Sequence, residues 1–474
     1  MLLGDILLRF CEGNQSNPCH AEAGTLQNKY LSHKIGRMNF LPQLVFFLLL
    51  AAGAGLFARN IGRIRRNILA GRPEKPDGDQ ASRIRNLLLL ALGQKKMFRN
   101  IPVALMHLVI YAGFIIINIE VLEIVLDGLT GKHRLFLHLL PKELYAFLIN
   151  SFEWLALGVI VVCIAFLVRR NVMRIRRFRS GDLDGWPRSD ANYILIAEIV
   201  LMSLFLLMNA SDRALQLQQH PHYADTGRFI ISGQLAPWLS GLSSNTLVLL
   251  ERGCWWLHIA GIFIFLNYLP YSKHLHILLA FPNAYYARSG TGSKMTNMES
   301  VQNEVKYMMQ PELAPATTDN PVMKFGARDV FDLSWRNLLD AYSCTECGRC
   351  SAACPANQTG KLLSPRKIMM DTRDRLTEAG NQLDKTGTFT PDGKNLLNDY
   401  ITVEELRACT TCNACVEECP VSISPLDIIL QLRRSLIMED SNAPAEWNNM
   451  FGNIENNFAP WKFSPEERMA WKND

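Results

Sequence analysis

Apolar positions fall into five runs over the first 280 residues: 39–58, 101–126, 144–168, 191–210 and 246–269. Each is close to the ~20 residues a helix needs to cross a hydrocarbon core. A backbone in that core must satisfy its own hydrogen bonds, so the runs predict helices. A shorter apolar patch, Leu87–Leu92, has Arg83, Arg85, Lys95 and Lys96 on its flanks. That pattern predicts a helix lying at a membrane surface, its basic residues against headgroups. Past residue 280 the pattern changes. Residues 281–325 are rich in Gly, Ser, Pro and Thr and predict a linker. In 364–380, Ser364 is placed to cap a helix, Pro365 to occupy its first turn and Gly380 to end it. A polar loop is predicted over 381–398. Thr402 and the glutamates after it predict a short capped helix that delivers Cys409, and Ser424 opens another helix through Met438. The tail, 441–474, carries Trp447, Trp461 and Trp471, placed either to cover a partner or to pack on their own domain.

The expected fold is a five-helix transmembrane bundle over 38–280 and a second, mainly α-helical domain over 326–440. Residues 1–37 fit neither. The stretch LLGDILLRF is too short to span, and Met38, just before the first apolar run, is the expected natural start.

Charge adds a direction. The net charge is +5 and the mean hydropathy +0.04, but the average hides an apolar half and a polar one. Arg59, Arg63, Arg65, Arg66 and Arg72 follow the first run; Arg169, Arg170, Arg174, Arg176, Arg177 and Arg179 follow the third. Positive loops stay inside, so the N-terminus is expected outside and the chain beyond the fifth run in the cytoplasm. Each arginine cluster abuts a span, which argues against nucleic acid and for membrane lipid as its partner.

The chemistry lies in twelve cysteines. Cys344 to Pro355 reads CTECGRCSAACP, and Cys409 to Pro420 reads CTTCNACVEECP. Both have the spacing C-x2-C-x2-C-x3-C-P, in which three thiolates hold one [4Fe–4S] cube and the fourth serves the other cube. The expected quartets are Cys344, Cys347, Cys350 and Cys419 for one cluster, and Cys409, Cys412, Cys415 and Cys354 for the second. Zinc is the competing ligand of C-x2-C pairs, but its sites draw two such pairs rather than two runs of four ending in Cys-Pro. Ligation needs reduced thiols, which places this half, a dicluster ferredoxin domain, in a reducing compartment. Cys163 and Cys254 sit in apolar runs and read as buried thiols.

Histidines mark the membrane half. His107 falls in the second run and His258 in the fifth; His274 and His276 follow Pro270. Intramembrane histidine is rare and often functional. Two readings stand side by side, axial ligands of haem or hydrogen-bonded structural histidines. On a straight helix His258 and His276 would share a face. The remaining histidines, His133 among them, read as ordinary loop residues.

The segments MHLVIYAGF, Met106 to Phe114, and LHIAGIFIFLNYLPYSKHLHI, Leu257 to Ile277, resemble the cytochrome b (gamma) subunit of respiratory nitrate reductase and the related membrane subunit of heterodisulfide reductase. The C-terminal half resembles the ferredoxin-type subunit of heterodisulfide reductase. The resemblance implies one b haem, or two. His107 and His276 match the ligand pair of the haem nearer the cytoplasm, and His258 matches one ligand of the outer haem, whose second position is Ile117 and cannot ligate. It also implies menaquinone or another quinone as substrate. The implied cytoplasmic partner is an iron–sulfur subunit with C-C-G cysteine repeats, or a flavoprotein. No Cys-Cys pair occurs in this chain.

The expectation is therefore an electron-transfer subunit of a bacterial inner membrane, linking a cytoplasmic redox partner to quinone. A metalloenzyme maturation factor and a self-contained thiol–disulfide reductase are the alternatives. A succinate dehydrogenase iron–sulfur subunit would need a C-x4-C-x2-C run, which is absent. Glu120, Glu123 and Glu153 lie in or beside spans, as quinone-proton relays or as interfacial carboxylates.

Overall fold

A computed structural model describes residues 19–288, 295–314 and 324–473. The expectation for residues 1–37 falls in part, at 1–18, outside them. Among the described residues the secondary structure is helical, with no strand and only isolated bridges at Arg72–Ser334 and Leu397–Ile401.

Five long helices carry the apolar runs: α1 (Cys19–Leu69), α2 (Ile101–Thr130), α3 (Lys142–Asn171), α4 (Trp186–Leu217) and α5 (Ser244–Tyr268). All five have segments long and apolar enough to cross a membrane. They show apolar side chains outward: Phe40 is 65% exposed, Leu249 74% and Ile264 72%. Such faces are tolerated where the solvent is lipid.

The chain divides into two compact units. The first comprises the chain up to Ala58 together with Met106–Ala165 and Ile196–Asn267. Its core is aromatic where α1 meets α5. Phe46 lies 5.5 Å from Trp255 and 6.4 Å from Phe263, ring centre to ring centre. Gly128 of α2 makes room for that ring, since a Cβ there would lie 2.6 Å from Phe46. Small residues serve membrane helices in this way, letting large neighbours approach the backbone.

The second unit comprises Arg59–Leu105, Phe166–Leu195 and Tyr268–Asp474. It holds α6 (His276–Tyr285), α7 (Trp335–Ser343), α8 (Pro365–Thr386), α9 (Pro425–Met438) and α10 (Ala445–Asn457). Leu338, Ile368, Leu376, Ile428 and Leu432 form its core, joined by Ile64 and Ile68 from the end of α1. The caps fall where the sequence places them. Ser364 accepts from the Lys367 N–H, Thr402 and Glu405 form a capping box, and Ser424 accepts from the Asp427 N–H.

The end of α8 does not fall where expected. Gly380 does not stop the helix; Gly387, in the left-handed region with φ 76°, does. Gly380 is buried against α1, where a Cβ would meet Asn67 Nδ2 at 2.1 Å. Its carbonyl accepts from Arg66 Nη2 at 2.9 Å. The glycine marks a close approach rather than a terminus, so residues 381–386 of the expected loop are helical.

Leu87–Leu92 is helical and packs beside α6, leaving Leu88 and Leu92 exposed. The predicted linker contains a helix, Glu299–Met309. In the tail, Trp447 stacks under Arg407 at 5.8 Å, while Trp461 and Trp471 face outward.

Candidate functional site

The two cysteine runs fold alike. Helix α7 ends at Ser343 and hands over Cys344 in extended conformation; the helix Val403–Ala408 does the same for Cys409. Two left-handed residues then turn each loop, Glu346 and Gly348 in the first, Thr411 and Asn413 in the second. Gly348 and Asn413 open the short helices Arg349–Ala353 and Ala414–Glu418, which carry Cys350 and Cys415. Successive left-handed turns point backbone N–H groups into one concavity, a known cradle for anions and sulfur clusters. The Thr411 N–H already donates to Cys409 Sγ at 3.4 Å.

The fourth cysteine of each run lies with the other run. Cys354, Cys409, Cys412 and Cys415 line one small cavity, closed by Leu363, Leu426 and Ile429. Cys344, Cys347 and Cys419 are near neighbours whose charges act on Cys350. Burial, with the neighbouring thiolates adding to it, pushes the Cys344, Cys415 and Cys419 thiols up to about 12. Four bare thiolates in an apolar pocket are unfavourable, and iron supplies the missing positive charge. The donor sets thus fit [4Fe–4S] cubes. Cys412 is exposed, whereas Cys344 and Cys354 are buried. All ten cysteines from Cys163 to Cys419 are free of disulfides, and Cys163 and Cys254 are buried.

Charged residues that the sequence did not single out brace the first loop. Glu346, between two cysteines of the motif, is 5% exposed. It accepts from Arg373 Nη1 at 2.7 Å and pairs with Lys273. Burial alone would raise its carboxyl, but these two cations hold it below the usual value. Arg366, 1% exposed, forks onto Asp182 and also reaches the Arg177 carbonyl at 2.8 Å. Near the second loop Arg99 binds Glu418 at 2.8 Å and pairs with Glu417. An acidic residue inside a cysteine motif was the one available signal for Glu346; the partners lie too far along the chain to show a pattern.

The histidines are placed as follows. His258 is 1% exposed in the first unit, its Nδ1 bonded to the Leu201 carbonyl at 2.9 Å and its ring 6.2 Å from Phe205. His107, on α2 of the same unit, is half-buried. His276 belongs to the second unit and starts α6, with Nδ1 bonded to the Lys273 carbonyl at 3.0 Å. Burial pushes that imidazole down, favouring its neutral form. The straight helix expected from His258 to His276 does not exist. A 3-10 turn at Leu269–Tyr271 and an extended Ser272 interrupt it, Pro270 removing a donor and Ser272 Oγ turning to Asp190 at 2.7 Å. His133, expected to be an ordinary loop residue, stands 3.6 Å from the buried Asp212.

A helical body that gathers two cysteine quartets is the plan of a two-cluster ferredoxin-type domain. Residues 340–423 match the family model described as the 4Fe-4S dicluster domain. Over longer stretches the chain is similar to the probable iron-sulfur-binding oxidoreductase FadF of Bacillus subtilis, with 27% identity over 91% of this chain and 61% of that protein. It is 24% identical to the EtfAB:quinone oxidoreductase of Syntrophomonas wolfei, over 82% of this chain and 54% of that protein. Its cluster region is 35% identical to one polypeptide of a CoB-CoM heterodisulfide reductase of Methanosarcina acetivorans, over 22% of this chain and 52% of that polypeptide. The chain thus spans less than two thirds of each of these relatives. No solved structure matches it.

Proposed function

We propose that this chain is a membrane electron-transfer subunit that passes electrons between a cytoplasmic redox partner and the quinone pool by way of two [4Fe–4S] clusters and haem b. The observation that carries the reading is the gathering of two cysteine quartets in a chain with five membrane-long helices. Cys344, Cys347, Cys350 and Cys419 hold one cluster; Cys409, Cys412, Cys415 and Cys354 hold the other. The clusters and haem supply single-electron sites, and the protein tunes them by burial and nearby charge. Lys273, Arg373, Arg366 and Arg177 crowd the first loop. That cationic setting favours the more negative, reduced state of a four-thiolate cluster.

His107 and His276 are the proposed haem ligands, with His258 a further candidate. At His258 and His276 the Nδ1–carbonyl bond fixes the ring and presents Nε2, the arrangement that orients ligating imidazoles. The quinone assignment draws on the name of the Syntrophomonas relative, and a C-C-G iron–sulfur protein or a flavoprotein is the proposed partner. The arginine-rich loops support a bacterial inner membrane with the N-terminus outside and the cluster domain in the cytoplasm.

The test is anaerobic reduction of the purified full chain in menaquinone-containing liposomes. Two [4Fe–4S] EPR signals, a b-type absorbance change and menaquinone reduction are expected. A protein that holds zinc, or reduces its clusters without passing electrons to quinone, overturns the reading.

A further inference from the structure

The first unit encloses more carboxylates than its cations neutralise. Glu120, Glu123 and Asp127, on successive turns of α2, are 2%, 3% and 8% exposed, and Glu153 of α3 and Asp212 of α4 are sealed at 0%. One guanidinium stands among them. Arg134 Nε donates to Asp212 Oδ2 at 2.6 Å, Nη2 to Asn209 Oδ1 at 2.8 Å and Nη1 to Tyr145 Oη at 3.1 Å. The bonds run on in both directions: Tyr145 Oη donates to Glu123 Oε2 at 3.1 Å, and Asn209 Nδ2 to Glu153 Oε1 at 3.4 Å.

Backbone donors secure three of these acids. Leu135 N–H reaches Asp127 at 2.9 Å, Phe136 N–H reaches Glu123 at 2.8 Å and Ile231 N–H reaches Glu153 at 2.8 Å. Glu120 differs. Its Oε2 is enclosed without a hydrogen-bond partner among the described residues. Yet the charges of Arg134, Glu123, Asp127 and Glu153 all act on it. An oxygen in that position contributes nothing to holding the fold together, and leaving it as a bare anion costs several kcal/mol. The other end of the network reaches the rim: Asp212 lies 3.6 Å from His133 Nε2, whose side chain is 24% exposed. Glu251 stands 3.7 Å from the same nitrogen and is held by Arg252 and by Tyr223 Oη at 2.9 Å.

We propose that this cluster is a proton relay, with His133 and Asp212 at its entrance and Glu120 as its inner acid. The inference rests on the quinone reading above. Reduction of a quinone to its quinol takes two electrons from the iron–sulfur side and two protons through the relay; oxidation of the quinol returns both.

Redox-difference infrared spectroscopy of the purified full chain, cycled between dithionite and ferricyanide with no quinone added, reads the carboxyls directly. A carboxyl C=O band that responds to reduction and shifts in heavy water is expected. It disappears in Glu120→Gln, and turnover with a soluble naphthoquinone falls ~10²-fold or more while the cluster EPR stays as in the wild type. Glu120→Asp keeps an acid and restores the band, which covers a Gln variant that fails to accumulate. Absence of the band in the wild type, or its survival in Glu120→Gln, overturns the relay. A wild type that reduces quinone without a band overturns the relay and leaves the quinone reading intact. A Glu120-dependent band in a protein that ignores quinone supports the relay and overturns the quinone reading.

Discussion

Replacing Arg366 by Met should loosen the first cysteine loop. Arg366 is 1% exposed and holds Asp182, whose side chain is 6% exposed, by Nε at 3.0 Å and Nη2 at 2.5 Å. Its Nη1 sits where a Cβ on Gly348 would be, 2.5 Å away, so the guanidinium forms the floor under the turn between Cys347 and Cys350. Methionine keeps the length of the side chain and removes the charge, leaving a buried carboxylate unpaired. Breaking such a pair costs about 3–5 kcal/mol. Burial tends to raise the Asp182 carboxyl, but the bonds from Arg366, Ser180 and Ser364 overcome it and hold the group below its usual 3.8. A lowered carboxyl contributes stability above its unfolded value and loses it as pH falls through the folded one. The wild type should therefore lose this contribution below about pH 4, and Arg366→Met should lack it at pH 7. The assay is guanidinium denaturation of the purified protein, followed by retained cluster iron. Asp182→Asn combined with Arg366→Met removes both charges, and should cost less than the two single changes added together. A wild-type midpoint and full iron content in Arg366→Met would refute the reasoning.

Three further outcomes are expected. Cys347→Ser should remove one of two cluster EPR signals while leaving membrane insertion intact; an unchanged spectrum would count against the first quartet. His107→Ala should abolish a b-type absorbance band, and a band of full size would exclude it as an axial ligand. Glu346→Gln removes an anion from between Lys273 and Arg373. It should make reduction of the first cluster easier by on the order of 1 kcal/mol, read by potentiometric EPR titration; a potential that stays put or falls would show that the pair does not act on the cluster.

The five spans were legible because a bilayer selects on length and hydropathy, which a sequence displays directly. Their ends were not: α4 continues to Leu217, past the apolar run ending at 210, because helical hydrogen bonding does not stop where hydropathy does. The capped helices of the cluster domain were legible at Ser364, Thr402 and Ser424, since a cap is a local event. Gly380 misled because a glycine that ends a helix and one that admits a neighbour look alike until Asn67 is in place. The path from His258 to His276 misled in the opposite way. Pro270 was visible, but the pull of Asp190 on Ser272 and Tyr268 comes from another helix. The cysteine runs announced their chemistry, whereas Asp182 and Lys273, which brace them, lie in separate stretches with no periodic signature. Glu120, Glu123 and Glu153 stood out as acids in apolar runs, but Arg134 sits in a loop and showed nothing of its burial.

The central claim is that this chain conducts electrons from iron–sulfur clusters to a lipid-soluble acceptor. The most direct measurement is anaerobic purification from native membrane, with iron, haem and zinc counted per chain and dithionite-reduced EPR recorded alongside naphthoquinone reduction. The account predicts about eight non-haem irons, one haem or two, and quinone reduced as the clusters reoxidise. A colourless protein holding zinc, or clusters that stay reduced in the presence of quinone, would contradict it.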